Sequence, residues 1–429
     1  MNKANQRELQ LGIEAVGLYV PRYYVGLSDL ARARGTSPDK YRIGLGQEKM
    51  SVPPPDEDVV TMGASAAREA LLDMDPATID TLMFATESGI DQSKAAAIYV
   101  HHLLGLPQQC NSFEIKQACC GSTAALQMAL ALVQQKPDRK VLVVAADTAR
   151  YGLGTPGEPT QGAGAIALVL SAQPRIMAFD PEWGSYTEDV MDFWRPNYLD
   201  EAVVDGKYSI KIYLKALTES WQQYSEESGR RFSDHHRFCY HLPFTRMAEK
   251  AHQHLARAEG QKSTAPEQIA DSLHYNRLIG NSYTASLYIG LTSLLERSTR
   301  DLTDNRIGLF SYGSGCMAAY FSGVVLPHYR HFLRSNRTAE QFDTRQRLTV
   351  ETYEAFYGSE LPEDGSVYRT PRHETGPFRL CGLDAHKRIY ETRVEETNWH
   401  KTGETVAGWE SSRAVPRRRP TNRPVPHSL

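Results

Sequence analysis

The sequence predicts an α/β protein made from a duplicated unit, and three observations carry that prediction. Apolar, strand-like runs alternate with helical stretches: "TLMFAT" (81–86), then "SKAAAIYVHHLLG" (93–105), then "VLVVAADTA" (141–149), then "GAIALVLS" (164–171). Strands this continuously apolar are covered on both faces, which is the α/β pattern. A chain of 429 residues with 41% hydrophobic content also has enough apolar surface for a large core. Finally, the two halves resemble each other. Thr123-Ala124-Ala125-Leu126 with Leu130 matches Thr284-Ala285-Ser286-Leu287 with Leu291, an offset of about 160 residues (284 minus 123). "GAGAIALVL" (162–170) matches "GSGCMAAYF" (313–321) in the same order.

Two such units, with buried small-residue helices facing each other across a pseudo-dyad, are the sequence pattern of the thiolase fold, a duplicated five-layered α-β-α-β-α architecture. The expected organisation is one catalytic domain over residues 1–409, with pseudo-repeats at about 10–175 and 176–400. The second repeat takes in the late segment that breaks the alternation. Residues 410–429, "ESSRAVPRRRPTNRPVPHSL", hold five Arg and four Pro with no acid after Glu410, and are expected to be a disordered tail.

Bulk properties narrow the function. A net charge of −3 argues against nucleic acid as the main partner. The N-terminal "MNKANQRELQLG" is polar and no apolar run approaches membrane-spanning length, so a cytoplasmic protein is expected. Six cysteines (110, 119, 120, 239, 316, 381) show neither zinc-site spacing nor a disulfide framework, so no metal is expected.

Candidate chemistry centres on "FEIKQACCGSTAALQMALALVQQ" (113–135), where an extended pattern meets a helix that is apolar nearly all round. Cys119 and Cys120 fall at the start of that helix. A helix N-terminus stabilises a thiolate, so one of the two thiols is expected to be nucleophilic with a lowered pKa. The alternative reading of each is a small core residue. Glu87 follows an apolar strand directly and is a candidate base, although a solvated loop glutamate would read the same way. His241 closes a short strand before a proline and a helix, where a core or capping role is the plain alternative. Arg246 and Lys250 lie one turn apart on that helix and suit a phosphate or simple solvation.

Eight stretches in order resemble the 3-hydroxy-3-methylglutaryl-coenzyme A synthase family: "KYRIGLGQ" (40–47), "ATESGIDQSK" (85–94), "QACCGSTAAL" (117–126), "EPTQGAGAIAL" (158–168), "VVDGKYSIKIYL" (203–214), "YHLPF" (240–244), "GNSYTASLYIGL" (280–291) and "FSYGSG" (310–315). The resemblance covers roughly residues 10–325 and continues more weakly to about 395. It implies a homodimer and a catalytic set of Cys119, Glu87 and His241. The family's cysteine precedes the Gly-rich turn, which selects Cys119; Cys120 replaces the usual aromatic residue and suggests a roomier pocket wall. Asn281 and Tyr283 fall near the acceptor thioester, Ser314 near the acetyl oxygen, and Arg246 and Lys250 on the phosphates of a pantetheine carrier. No tightly bound cofactor is implied; the phosphopantetheine arm of an acyl carrier protein, or coenzyme A, carries the substrate.

Within the family, "EIKQACCGSTAALQMA" (114–129) and "FRLCGLDAHKRIYE" (378–391) resemble the branch that installs β-branches on polyketide intermediates held on acyl carrier proteins. Arg230, Arg231, Arg237 and Arg246 are then expected to form a basic rim for an acidic carrier. The alternatives are the mevalonate-pathway enzyme acting on acetyl-CoA and acetoacetyl-CoA, a decarboxylating ketosynthase of the chalcone synthase type, and a non-catalytic carrier-binding homologue. Glu87 discriminates against the ketosynthase, because decarboxylation supplies a carbanion without a base.

Overall fold

The computed structural model describes residues 9–262 and 264–393. The expected tail, 410–429, lies outside the described residues. Nine strands form the principal sheet: β1 (Gly12–Tyr19), β2 (Ile79–Ala85), β3 (Asn111–Ile115), β4 (Lys140–Ala149), β5 (Gly162–Ser171), β6 (Met177–Thr187), β7 (Arg237–Tyr240), β8 (Arg306–Gly313) and β9 (Met317–Val325). Their order is β3-β2-β4-β5-β1-β6-β9-β8-β7. Among the described residues, the two halves of this sheet are joined by a short ladder, Gly12 with Ala178 and Ile13 with Met177. In each half an edge strand (β1 or β6) leads to parallel strands (β2 beside β4, β7 beside β8), followed by an antiparallel return (β5 or β9).

Six helices matter for the site: α1 (Val59–Ala70), α2 (Gly121–Gln135), α3 (Gly206–Ser228), α4 (Thr245–Ala258), α5 (Ala270–Ile279) and α6 (Ser286–Arg297). Strand alternation sorts the core into layers. On β4, Val141, Val143 and Ala145 face the central layer with Ala125, Leu126 and Ala129 of α2 and Leu287, Ile289 and Leu291 of α6. Leu142, Val144 and Ala146 face the other way, onto α1. On β8, Ile307 and Leu309 join the central layer, whereas Phe310 and Tyr312 face α3 and α4. The sequence α1, half-sheet, α2 with α6, half-sheet, α3 is the α-β-α-β-α stack, generated by the two-residue period of the strands.

The repeats match in a register different from the one the small-residue pattern suggests. Helices α2 and α6 begin at Gly121 and Ser286, an offset of 165 (286 minus 121). The residue three before each start has positive φ: Ala118 at 43° and Tyr283 at 41°, again 165 apart. The threonine match is therefore about four residues, or one helical turn, out of step. Repeated small residues at helical spacing allow that slip, because shifting by one turn keeps the same face apolar.

Residues 368–393 follow the second half in the chain but pack on the first. Strands Phe378–Asp384 and Lys387–Thr392 pair with each other, and Phe378 joins the cluster under α1. The run Asp56-Glu57-Asp58 holds them. Fully buried Asp56 accepts from Arg379 Nε at 3.0 Å and faces His373 Nδ1 at 3.0 Å. Asp58 caps α1 through Val60 N and Thr61 N with one oxygen and takes Tyr390 OH at 2.7 Å with the other. Among the described residues no helix is long and apolar enough to cross a membrane.

Helix α1 touches β1 because position 17 lacks a side chain: a Cβ on Gly17 would lie 2.2 Å from Ala66 O and 2.3 Å from Ala70 N. Gly17→Ala must push the helix off the sheet and should lower stability by about 1–3 kcal/mol, read as a reduced denaturant midpoint. Gly206→Ala, at a position with open space around it, should leave the midpoint within a few tenths of a molar.

Candidate active site

The site is assembled where strands β2, β4, β7 and β8 end. Chain leaving β2 turns through Thr86, Glu87 and Ser88 over the end of β4, where Asp147 is completely buried. One carboxylate oxygen, Oδ1, accepts from Thr86 Oγ1 (2.8 Å), Glu87 N (2.8 Å), Ser88 N (2.9 Å) and Ser88 Oγ (2.9 Å). The other, Oδ2, accepts from Thr284 N at 3.0 Å and from the Thr284 hydroxyl. A buried carboxylate is tolerated when its lone pairs are filled in this way. Asp147 thus fixes the loop bearing Glu87 and joins it to the turn before α6.

Cys119 sits on the turn between β3 and α2. Cys120 is the N-cap of α2 at φ −83° and ψ −3°, so Cys119 is one residue outside the helix. The preceding Ala118 occupies the left-handed region that non-glycine residues avoid, a local strain that aims the next side chain out of the turn. Cys119 is 8% exposed, and its Sγ donates to Glu87 Oε1 at 2.7 Å.

This contact reverses the expected ionisation. Burial first, then the Glu87 charge, push the Cys119 thiol well above its ordinary value. The partial charge of a helix end is outweighed by desolvation and a full negative charge in contact. Glu87 moves the same way: it keeps slight solvent access, yet burial and then Asp147 raise its carboxyl to about 8. The resting pair is a neutral thiol hydrogen-bonded to a weakly acidic carboxyl, poised for proton exchange.

Cys120 points the other way. It is fully buried, accepts from Ser311 Oγ at 3.3 Å, and packs where a Cβ on Gly313 would be 2.8 Å away. Since it does not line the cavity, the idea that position 120 widens the pocket wall is corrected: a small residue here fills the seam between α2 and β8. Burial raises its thiol to about 11.

The second half brings His241, which follows β7 and is 2% exposed. Burial lowers it to about 3, so it is a neutral imidazole. Its Nδ1 lies 2.8 Å from Ser286 Oγ, which already accepts from Leu242 N at 3.3 Å. The serine proton is placed to serve Nδ1, and in that tautomer the imidazole hydrogen is on Nε2. Asn281 donates through Nδ2 to Tyr151 OH (3.2 Å), and its Oδ1 accepts from Tyr283 N (2.9 Å).

Cys119, His241, Asn281, Tyr283 and Ser314 all line one cavity of about 880 Å³. Its walls are largely apolar and include Leu45, Ile210, Phe244 and Met247, a lining that suits a narrow, flexible chain with few charges. Tyr151, Phe193 and Tyr283 form a triangle of rings 5.8–6.1 Å apart around the sulfur.

Not every candidate reaches this cavity. Arg246 donates through Nε to Ile43 O at 2.8 Å and pairs with Glu249, which ties the 43–46 loop to α4. Lys250 is exposed one turn further along α4, and neither lines the cavity. The proposed arginine rim is also corrected. Helix α3 starts at the cavity with Gly206 and Lys207 and runs 23 residues, about 34 Å, before Arg230 and Arg231. Arg230 pairs there with Asp180 and Glu182, and Arg237 is buried at the far end of β7. Among the described residues lining the cavity, Lys207 is the one lysine or arginine, and it is exposed. It was missed from sequence, as were Asp147, Tyr151 and Phe193. Asp147 did carry a signal, an acid ending the apolar run "VLVVAAD".

A cysteine, a carboxyl and a neutral histidine meeting at the seam of a duplicated α/β sheet define a condensing enzyme of the thiolase fold. Family comparison narrows this further. "Hydroxymethylglutaryl-coenzyme A synthase N terminal" matches residues 7–174, and the corresponding C-terminal description matches 177–265 and 246–358. A hydroxymethylglutaryl-CoA synthase of Enterococcus faecalis is 42% identical over 83% of this chain and 94% of its own. The polyketide biosynthesis 3-hydroxy-3-methylglutaryl-ACP synthase PksG of Bacillus subtilis is 33% identical over 90% and 97%. A crystal structure of an HMG-CoA synthase complexed with CoA superposes with TM-score 0.85 at 40% identity, over 89% of this chain and all of that one. The chain belongs to the hydroxymethylglutaryl-CoA synthase family and is an acyl-condensing transferase.

Because burial and then the Glu87 charge hold the thiol well above its ordinary value, Cys119 should alkylate slowly with iodoacetamide at pH 7–8, with a rate that goes on rising through alkaline pH and shows no plateau near the ordinary thiol value. Glu87→Gln removes that charge, lowers the thiol pKa, and should speed alkylation at pH 8 several-fold, with peptide mass spectrometry placing the label on Cys119. A slower or unchanged rate would show that another group sets the thiol.

Proposed function

We propose that this enzyme takes an acetyl group onto Cys119, condenses it with the β-ketone of a pantetheine-borne β-ketoacyl thioester, and releases the product by hydrolysis. The observation that carries this reading is the 2.7 Å Cys119–Glu87 contact at the end of an 880 Å³ apolar cavity that also presents His241. A pantetheine arm enters the cavity and presents its acetyl thioester to the sulfur. As the sulfur attacks, its proton passes to Glu87 and then to the departing pantetheine thiol, so the carboxylate is regenerated. Glu87 next takes a proton from the acetyl methyl, the step for which a buried carboxylate held near 8 is suited. The resulting enolate attacks the ketone carbon of the second thioester. His241 Nε2–H donates to the ketone oxygen as it becomes an alkoxide, with Asn281 and Ser314 flanking the substrate; the proton that Glu87 removed ends on this oxygen as the product hydroxyl, and Glu87 returns to its carboxylate form. Water then cleaves the Cys119 thioester. No tightly bound cofactor is required.

For the carrier, the 42% likeness to an enzyme named for CoA favours acetyl-CoA and acetoacetyl-CoA. Acyl-carrier-protein substrates, and with them β-branching of a polyketide chain, are the second reading, supported by the likeness to PksG and by exposed Val203, Val204 and Lys207 at the opening. We also propose a homodimer, formed where, among the described residues, strand β3 leaves its outer edge unpaired and exposes Phe113 at 38%. A cytoplasmic location suits the six free thiols.

Glu87→Gln should still be acetylated on Cys119, shown by intact mass, while carbon–carbon bond formation falls by about 10³-fold or more; Cys119→Ser should lose both. Condensation at near wild-type rate in Glu87→Gln would remove the base assignment. Comparing acetyl-CoA with acetyl-carrier protein across a salt series decides the carrier: a preference for the protein-borne donor that shrinks with salt favours the second reading.

A further inference from the structure

Glu87 has an electrostatic difficulty that the mechanism leaves open. Two acids act on it, Asp147 from β4 and Asp192 from the hairpin over the cavity, and both disfavour its carboxylate form. The other titratable groups facing it are the Cys119 thiol, Tyr151 from the loop after β4 and Tyr283 from the turn before α6. Burial raises all three, which keeps them neutral, and a thiol or phenol cannot in any case carry a positive charge. A base that must be ionised in the acetyl-enzyme therefore needs a cation close by.

The geometry points to Arg195 as a positioning residue that fastens the cavity hairpin to the base-bearing loop and favours the ionised form of Glu87. Its guanidinium Nη2 donates to the main-chain oxygen of Glu87. Its own backbone is fixed by the hairpin, where Phe193 and Trp194 pair with Val204 and Val203. That hairpin is anchored by fully buried Asp192, which accepts from Tyr312 OH at 2.7 Å, Gly315 N at 2.9 Å and Ser209 Oγ at 3.1 Å. Arg195 is thus delivered to Glu87 by a strand whose neighbour Phe193 walls the cavity. It also lowers the Glu87 pKa against the pull of burial and the two aspartates. The positive charge and the cavity wall arrive on the same element, so the strength of the base depends on the hairpin being seated.

This inference rests on the reading of Glu87 as the base, and its test separates the two. Enzyme acetylated on Cys119 with acetyl-CoA is transferred to D₂O over a pH series, and deuterium entering the acetyl methyl is followed by peptide mass spectrometry. Acetylation removes the thiol titration, so the acid limb of the exchange rate reports Glu87. Arg195→Gln and Arg195→Met should each move that limb up by about one pH unit, giving about tenfold slower exchange below the limb and rates that converge with wild type above it. Arg195→Lys, which keeps the charge, should restore the limb to within a few tenths of a unit. Exchange that falls equally at every pH in all three variants, with the limb unmoved, would make Arg195 a purely structural tie and overturn the inference. An unchanged profile would overturn it as well. Exchange persisting in Glu87→Gln would overturn the base assignment itself, whatever the Arg195 variants do.

Discussion

The buried carboxylate of Asp147 is the constraint on which the site depends. Its two oxygens collect six donors from two places in the chain: the Thr86–Ser88 loop that carries Glu87, and the turn that opens α6. Only a charge can satisfy so many donors at once, and only a fully satisfied charge can stay so deep. Shortening or neutralising it would release the Glu87 loop and loosen the seam between the halves together. The same charge is the neighbour that helps keep Glu87 weakly acidic, so one residue couples architecture to chemistry.

The central pair works by matched weakness. A free thiolate would gain little from a nearby base, and a fully acidic glutamate could not remove a carbon-bound proton. Here both groups are pushed up together, Cys119 by burial and by Glu87, and Glu87 by burial and by Asp147. Protons can therefore move between them at small cost, while His241, kept neutral by burial, holds its donor for the acceptor ketone. The neutral imidazole also adds no second positive charge to a site already tuned by Arg195.

The layering and the catalytic trio were legible in the sequence because they rest on local patterns: continuous apolar strands, small-residue helices, and motifs that span a few residues. Cys119 could be placed beside a helix start for that reason. Its ionisation could not, because the decisive neighbour is 32 positions away and arrives through the sheet order. Arg230 and Arg237 were misjudged for a related reason. Closeness to His241 along the chain says nothing about which end of a helix of 23 residues faces the cavity. Arg246 is part-exposed and already bonded to Ile43 O and Glu249, partners that its spacing from Lys250 does not reveal. Arg195 was passed over in a short stretch without periodicity, where position is decided by a hairpin and a buried aspartate.

The two turns with positive φ, at Ala118 and Tyr283, have unequal contents. One residue after each stand Cys119 and Thr284, the same 165 positions apart (284 minus 119). One turn aims a sulfur into the cavity, and the other aims a hydroxyl inward at Asp147. A backbone geometry present twice has thus been put to two uses, reactivity in one half and fastening in the other. The asymmetry leaves the chain one nucleophile at this seam, and the second half both fastens the base-bearing loop and brings the histidine to the cavity.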